Sequence, residues 1–148
     1  MSDWVKTIVL AVDGSPNSLR AAEVALDIAR ERKARLIALA VVDTRVIDDF
    51  RRMLEEGHKV EHAEEELYED ANKVVNNMKK LAGESGYKLD TIVRKGIPHI
   101  EIVMFANEIG ADLIVLGKGG RRGKSRLSMG NITERVIEDS TCSVLVVR

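Results

Sequence analysis

The chain has 148 residues, of which 45% are hydrophobic and 32% charged, and its formal net charge is −1. These values predict one globular domain over residues 1–148, and they exclude a disordered chain or one whose overall charge attracts nucleic acid. Cys142 is the one cysteine, which excludes an internal disulfide, and residues 1–6 lack the pattern of a signal peptide, so a cytoplasmic protein is expected.

The first third of the chain has the pattern of a strand, a helix and a second strand. A continuous apolar run over residues 7–12 predicts a strand covered on both faces, and residues 36–42 predict its neighbour. Between them, Ser15 followed by Pro16 favours a helix start, and the helix is expected to end near Arg32. Four apolar residues of this helix are predicted to be buried: Leu19, Ala22, Leu26 and Ala29.

The middle of the chain is dominated by one long helix. Residues 44–58 are polar and interrupted by Gly57, which predicts a loop with one or two helical turns. The long helix follows and is expected to end at Gly83 and Gly86, because glycine favours helix ends. Its apolar residues recur every three or four positions along one face: Leu67, Ala71, Val74, Met78 and Leu81.

The last third repeats the alternation of strand and helix. Strands are predicted over residues 89–93, 113–116 and 144–147, and helices over 98–108 and 132–138. Five strands that alternate with helices predict an α/β fold with a single doubly wound parallel sheet. Such sheets bind ligands beyond the carboxyl ends of their strands, where the strand order reverses.

A glycine-rich basic loop separates the fourth strand from the last helix. Five cations without any acidic residue lie between Gly117 and Gly130: Lys118, Arg121, Arg122, Lys124 and Arg126. Glycine lets the backbone approach a ligand, and the free amides of a helix N-terminus favour an anion. The loop therefore predicts a phosphate site, with a solvated loop that binds nothing specific as the alternative.

This loop shares features with three known nucleotide-binding motifs. Gly123-Lys124-Ser125 ends like a Walker A motif, but position 118 is Lys where that motif needs glycine, and no helix start follows directly. The loop also loosely resembles a dinucleotide-binding fingerprint, but it lacks the helix that opens immediately after that fingerprint. The spacing that fits is Gly117-x2-Gly120-x9-Gly130, which strongly resembles the glycine pattern of the ATP-binding subclass of the universal stress protein family. Four other segments resemble the same family: Val-Asp-Gly-Ser15, Val-Val-Asp43, ADLIVLG and the final VLVV.

The resemblance implies a flavodoxin-like or Rossmann-like fold with strand order 3-2-1-4-5, a dimer, and ATP or AMP as the ligand, with Mg²⁺ as its companion. It places Ala11, Val12 and Asp13 along adenine and ribose, with Asp13 near the ribose or a metal, and it places the backbone of Val41 at adenine. The ribose and phosphates are then held by the glycine loop and the helix start: Gly117, Lys118, Gly120, Gly130, Asn131, Ile132 and Thr133. Turn chemistry is the alternative reading for Asp13.

Position 131 departs from the family pattern, which has Ser or Thr there. Asn131 and Glu134 form a start similar to a capping box. If the carboxamide caps the helix, phosphate must rely on the backbone amides of residues 130–133 and on the hydroxyl of Thr133. That arrangement makes AMP or ADP a stronger alternative to ATP.

These features predict a dimeric stress-response regulator that binds adenine nucleotide and performs no fast catalysis, without a catalytic residue or a metal-binding residue of its own. Alternatives are a scaffold that binds no nucleotide and a slow ATPase. Nucleic acid is not expected as a partner, since only 3% of residues are aromatic, and a membrane is not expected because the apolar run over residues 8–12 is too short to span a bilayer. His58-x-x-Glu61-His62 matches an inverted zinc-peptidase pattern but has no assignable third ligand. Residues 144–147 form an apolar edge strand, which predicts pairing of two chains.

Overall fold

A computed structural model describes residues 3–53, 57–119 and 131–148, with only the backbone described for residues 57–61 and 131. Strands and helices alternate along most of the chain. The strands are β1 (Thr7–Ala11), β2 (Arg35–Asp43), β3 (Asp90–Gly96), β4 (Leu113–Gly117) and β5 (Ser143–Val147), and the helices are α1 (Pro16–Arg32), α2 (Thr44–Met53), α3 (Gly57–Glu84), α4 (Pro98–Ile109) and α5 (Asn131–Asp139). Within those ranges, no helix is both long and apolar enough to cross a membrane.

The five strands form one parallel sheet in the order β3-β2-β1-β4-β5, as predicted. The chain moves outward from β1 to β3 on one side and then returns to β4 and β5 on the other, so the order reverses between β1 and β4. Ala11 pairs with Leu39, and Leu10 pairs with Val115. The carboxyl ends of β1, β2 and β4 therefore meet at one edge of the sheet.

Helices cover both faces of this sheet. Leu10 and Val115 pack in a buried cluster with α1 and α3, whereas their neighbours Val9 and Ile114 pack in a second cluster with α4 and α5. Successive side chains of a strand point to opposite faces, so a strand covered on both sides must be apolar at every position. This explains why β1 and β4 are uninterrupted apolar runs in the sequence.

The first helix begins and ends as its sequence predicts, but one residue lies on the wrong side. Ser15 caps α1 by accepting the N–H of Ser18, and Lys33 closes it with φ of 56°. Leu19, however, is 46% exposed, and the prediction that it is buried was wrong. The buried face lies one position away and consists mostly of small residues: Ser18, Ala21, Ala22, Ala25, Leu26 and Ala29. These small side chains let the helix lie close to the sheet.

The region after β2 is more helical than its sequence suggested. Instead of one or two turns, α2 has 10 residues and buries Ile47, and Gly57 begins α3 rather than interrupting the chain. Helix α2 begins with the polar residues Thr44 and Arg45, but the buried Ile47 packs on Val42 near the end of β2 and so anchors the helix. The structure therefore places an unpredicted helix above the carboxyl edge of the sheet.

Asp112 fixes the opposite edge of the two central strands. Its Oδ2 accepts the backbone N–H of Lys6 at 2.8 Å and that of Thr7 at 2.9 Å, and its own N–H donates to the Thr7 carbonyl at 2.9 Å. These hydrogen bonds join the residues before β4 to the start of β1. They hold the two strands in register, so that their carboxyl ends lie side by side at the switch point, the place between β1 and β4 where the strand order reverses.

Candidate functional site

A cavity of about 520 Å³ opens at the carboxyl ends of β1, β2 and β4. This volume lies within the range of sites that take small molecules and cofactors, roughly 300–1,000 Å³. Its described lining comes from these strand ends and from the helices around them: Ala11, Val12, Asp13, Ser15, Ser18, Leu39, Ala40, Val41, Val42, Asp43, Arg45, Val46, Leu67, Asp70, Ala71, Val74, Pro98, Ile102, Leu116, Gly117, Gly119, Ile132 and Thr133.

The cavity brings together seven of the eleven residues that the sequence nominated for binding. They are Ala11, Val12, Asp13, Val41, Gly117, Ile132 and Thr133. Lys118 follows directly on the chain, and its backbone N–H donates to the Val147 carbonyl at 2.7 Å. Gly120, Gly130 and the side chain of Asn131 lie outside the described residues; the backbone of Asn131 begins α5.

The junction between β1 and α1 forms one wall of the cavity. Oδ1 of Asp13 accepts the N–H of Ser15 at 2.9 Å, and Gly14 between them has φ of 83°, a conformation that favours glycine. Oγ of Ser15 accepts the N–H of Ser18 at 3.2 Å, and Oγ of Ser18 donates to the Ser15 carbonyl at 3.1 Å. The wall is therefore a hydrogen-bonded turn that presents the Asp13 carboxyl group beside the cavity.

The end of β4 forms the adjoining wall, where the backbone is fixed by side chains from two helices. The buried hydroxyl of Thr133 donates to the Gly117 carbonyl at 3.0 Å, and Nδ2 of Asn17 donates to the Gly119 carbonyl at 3.3 Å. The Thr133 proton is thus directed at the protein backbone, so in this geometry its oxygen can accept from a ligand but not donate to it. Phosphate binding at this wall would rest on backbone amides.

Gly117 is needed because α1 lies too close for a side chain. A Cβ at this position would be 2.8 Å from the carbonyl carbon and 2.8 Å from Cβ of Asn17, and 2.9 Å from its carbonyl oxygen. The glycine therefore allows the start of α1 to approach the end of β4. Sequence reasoning assigned Gly117 to ligand approach and did not identify Asn17, because nothing near Asn17 in the chain reveals this contact.

Asp43 and Arg45 form an ion pair at the side of the cavity next to α2. Nε and Nη2 of Arg45 donate to Oδ1 and Oδ2 of Asp43 at 3.0 and 2.8 Å, and the backbone N–H of Arg45 donates to Oδ1 at 2.9 Å. This hydrogen-bonded pairing raises the pKa of Arg45 above its ordinary value. Sequence reasoning noted Asp43 only as the end of a strand and missed Arg45, since residues 44–58 were expected to be mainly loop.

The same side of the cavity is mostly hydrocarbon. Val42 and Val46 come from β2 and α2, and Leu67, Ala71 and Val74 come from the face of α3 that the sequence predicted to be apolar. Asp70 is exposed at its margin. The cavity is therefore asymmetric. Apart from the pair of Asp43 with Arg45 and Asp70, the end at α2 and α3 is apolar, whereas the end at β4 and α5 offers the backbone of Gly117, Gly119 and the α5 start together with the side chains of Leu116 and Ile132.

The histidine pattern that resembles a zinc peptidase has no further support in the described residues. Nε2 of His62 lies 3.2 Å from Oε1 of Glu66, one turn further along α3. His58 and Glu61 belong to the part of α3 whose side chains are not described. In the described parts of the chain, no group of three or more His, Cys, Asp or Glu side chains is arranged to hold a metal ion.

Known proteins resemble this chain in both sequence and fold. The family model described as the universal stress protein family matches residues 5–148. Universal stress protein MJ0531 of Methanocaldococcus jannaschii is 41% identical over 143 residues, covering 97% of this chain and 82% of that protein. Universal stress protein YxiE of Bacillus subtilis is 34% identical over 146 residues, covering 95% of this chain and 97% of that protein.

Solved structures agree with the sequence comparison. Universal stress protein UspA from Lactobacillus plantarum has a TM-score of 0.81 and 27% identity, with 97% of each chain covered. A universal stress protein solved in complex with cAMP has a TM-score of 0.67 and 26% identity, again with 97% of each chain covered. Together with the family match over nearly the whole chain, these similarities show that the chain belongs to the universal stress protein family.

Proposed function

We propose that this chain is a nucleotide-binding domain that takes ATP or AMP in the switch-point cavity and acts as a stress-response regulator. The observation that carries the proposal is the asymmetry of that cavity. Its apolar end suits the faces of a purine, and its other end offers glycine backbone and the start of α5 to an anion. The family member solved in complex with cAMP, 26% identical, supports an adenine nucleotide as the ligand class.

The backbone at the polar end fits a phosphate group. The first N–H groups of α5, which begins at Asn131, have no acceptor within the helix and carry the positive end of its dipole. Ile132 and Thr133 line the cavity at this helix start. A phosphate placed there would accept hydrogen bonds from the main chain, which requires neither the Thr133 proton nor a basic side chain.

Asp13 suits either the ribose or a magnesium ion that accompanies the phosphates. Leu10 pairs with Val115, so Asp13 follows β1 beside the end of β4 and near Gly117. Mg²⁺ in nucleotide sites is commonly held by one or two carboxylates together with the phosphates themselves. A carboxyl group at this place is therefore sufficient, and no cage of protein ligands is needed.

The described lining supports a regulator in preference to a fast enzyme. It contains no His, Cys or Lys, and the hydroxyls of Ser15 and Ser18 are engaged in the turn before α1. Fast phosphoryl transfer needs a positioned nucleophile or water and a base beside it. A second candidate, a scaffold of the family that binds no nucleotide, is favoured by the Thr133 hydroxyl, whose proton is donated to the Gly117 carbonyl and is therefore not offered to a phosphate.

One set of titrations separates these functions. Small molecules are extracted from the purified protein, which is then titrated calorimetrically with ATP, ADP and AMP; we expect one adenine nucleotide per chain. Gly130→Val should weaken ATP binding at least about ten-fold, because its branched side chain would hold the phosphate away from the backbone amides and so cost roughly one charge-assisted hydrogen bond. Its thermal midpoint should remain near that of the wild type, which shows that the loss belongs to binding and not to folding.

Two results would redirect the proposal. If none of the three nucleotides binds at millimolar concentration and none is extracted, the scaffold becomes the better description. If phosphate is released from ATP faster than about one per second, and Asp13→Ala stops the release, the protein is an enzyme.

The homodimer proposed from the sequence would form along β5, an edge strand whose residues Val144 to Val147 are half-buried or buried. Their side chains pack into both core clusters, so β5 lacks the charged side chains that discourage pairing at many edge strands. The unpaired backbone edge of β5 is the surface that a second β5 would cover. Sedimentation at micromolar concentration should give twice the chain mass of 16.4 kDa. A protein that keeps the mass of one chain up to millimolar concentration would rule out this dimer.

A further inference from the structure

Arg45 is fixed in place at the apolar end of the cavity. Asp43 is the last residue of β2 and Arg45 is the second residue of α2, so the pair spans the junction between them. Oδ1 of Asp43 receives both the backbone N–H and the Nε of Arg45, and Oδ2 receives its Nη2. A long side chain that is usually mobile is thereby held against the strand end, although 46% of its surface is exposed.

The way in which Asp43 holds the guanidinium leaves its flat faces available. A bidentate carboxylate occupies one edge of the guanidinium plane, and the two faces can still lie against an aromatic ring. Arg45 lines the cavity together with Val46 of its own helix and with Leu67 and Ala71 of α3. A planar cation beside a hydrocarbon surface is suited to one side of a purine, with the apolar side chains on the other side.

We propose that Arg45 covers the base of the bound nucleotide by stacking its guanidinium on the purine, and that Asp43 is the positioning residue that holds it there. The inference rests on the proposed nucleotide function and adds a determinant of base binding to it. The resemblance to the family assigns the base to the end of β1 and to the backbone of Val41, so it does not include this pair. Arg45 follows β2, whereas Gly117 ends β4 on the other side of β1, so the pair is separate from the proposed phosphate end.

If Arg45 binds the nucleotide by stacking on the base, its loss should weaken the binding of ATP but not of a ligand without a base, whereas a purely electrostatic role would weaken both. Calorimetric titration with ATP and with inorganic tripolyphosphate should show that Arg45→Ala weakens ATP binding about ten-fold, while tripolyphosphate binding changes less than about two-fold. Arg45→Lys should resemble Arg45→Ala, because it keeps the positive charge but loses the planar group. Asp43→Asn should weaken ATP binding about three-fold and leave tripolyphosphate binding unchanged, since one charged hydrogen-bond acceptor becomes neutral.

A matched control is available on the same helix. Arg51 is exposed and does not line the cavity, so Arg51→Ala should leave both affinities unchanged. The inference is wrong if Arg45→Ala binds ATP within about two-fold of the wild type, or if it loses tripolyphosphate binding to the same extent as ATP binding. Failure of the wild type to bind ATP would instead remove the nucleotide function and this inference together.

Discussion

Ala71→Trp is expected to abolish ATP binding and to leave the protein folded. Ala71 is half-buried on α3 and lines the apolar end of the cavity. An indole at this position would fill the space between α3 and the end of β2 in which the base is proposed to lie. The loss should be at least about 100-fold, equivalent to roughly 2.7 kcal/mol, because the base cannot enter without displacing the indole. Calorimetric titration with ATP measures this loss.

The same substitution on another face of α3 provides the control. Asn76 is exposed and does not line the cavity, so Asn76→Trp should bind ATP like the wild type. The thermal midpoint of Ala71→Trp should equal or exceed that of the wild type, since filling a cavity with apolar surface commonly adds about 0.5–2 kcal/mol of stability. A folded Ala71→Trp variant with unchanged ATP affinity would mean that the nucleotide binds outside this cavity.

The fold could be predicted because its signals are local. The apolar runs of β1 and β4 are continuous since both faces are covered, and Ser15 followed by Pro16 specifies the start of α1 within four residues. The exposure of Leu19 could not be predicted in the same way. The buried face of α1 is made mostly of alanine and serine, and a pattern search that seeks large apolar residues selects the wrong side of such a helix.

The site shows the same division between local and long-range information. The strand ends indicated Asp13 and Gly117, and the family resemblance implied Val41; all three line the cavity. The ion pair of Asp43 with Arg45, in contrast, depends on α2 forming above the sheet, and that helix is anchored by the contact of Ile47 with Val42. The direction of the Thr133 proton also depends on a residue 16 positions away, so no local pattern reports it.

Gly117→Ala is expected to lower the free energy of unfolding by about 3 kcal/mol, the upper part of the range for overpacking in a rigid core. The added Cβ would lie 2.8 Å from the carbonyl carbon of Asn17, which belongs to the backbone of α1 and cannot rotate away as a side-chain end could. The start of α1 or the end of β4 must therefore move. Either movement strains the hydrogen bond from Thr133 to Gly117, which helps to fix the cavity wall.

Gly83→Ala is the matched control, because the same methyl group is added at an exposed position near the end of α3. No neighbouring atom lies within 4 Å of a Cβ there. Alanine should therefore stabilise the helix by about 0.5 kcal/mol. In thermal unfolding, Gly117→Ala should lower the midpoint by roughly 10 °C, and Gly83→Ala should raise it by roughly 1–2 °C. Equal midpoints for the two variants would show that α1 yields to the added methyl group, and that its close approach to β4 is not a fixed feature of the site.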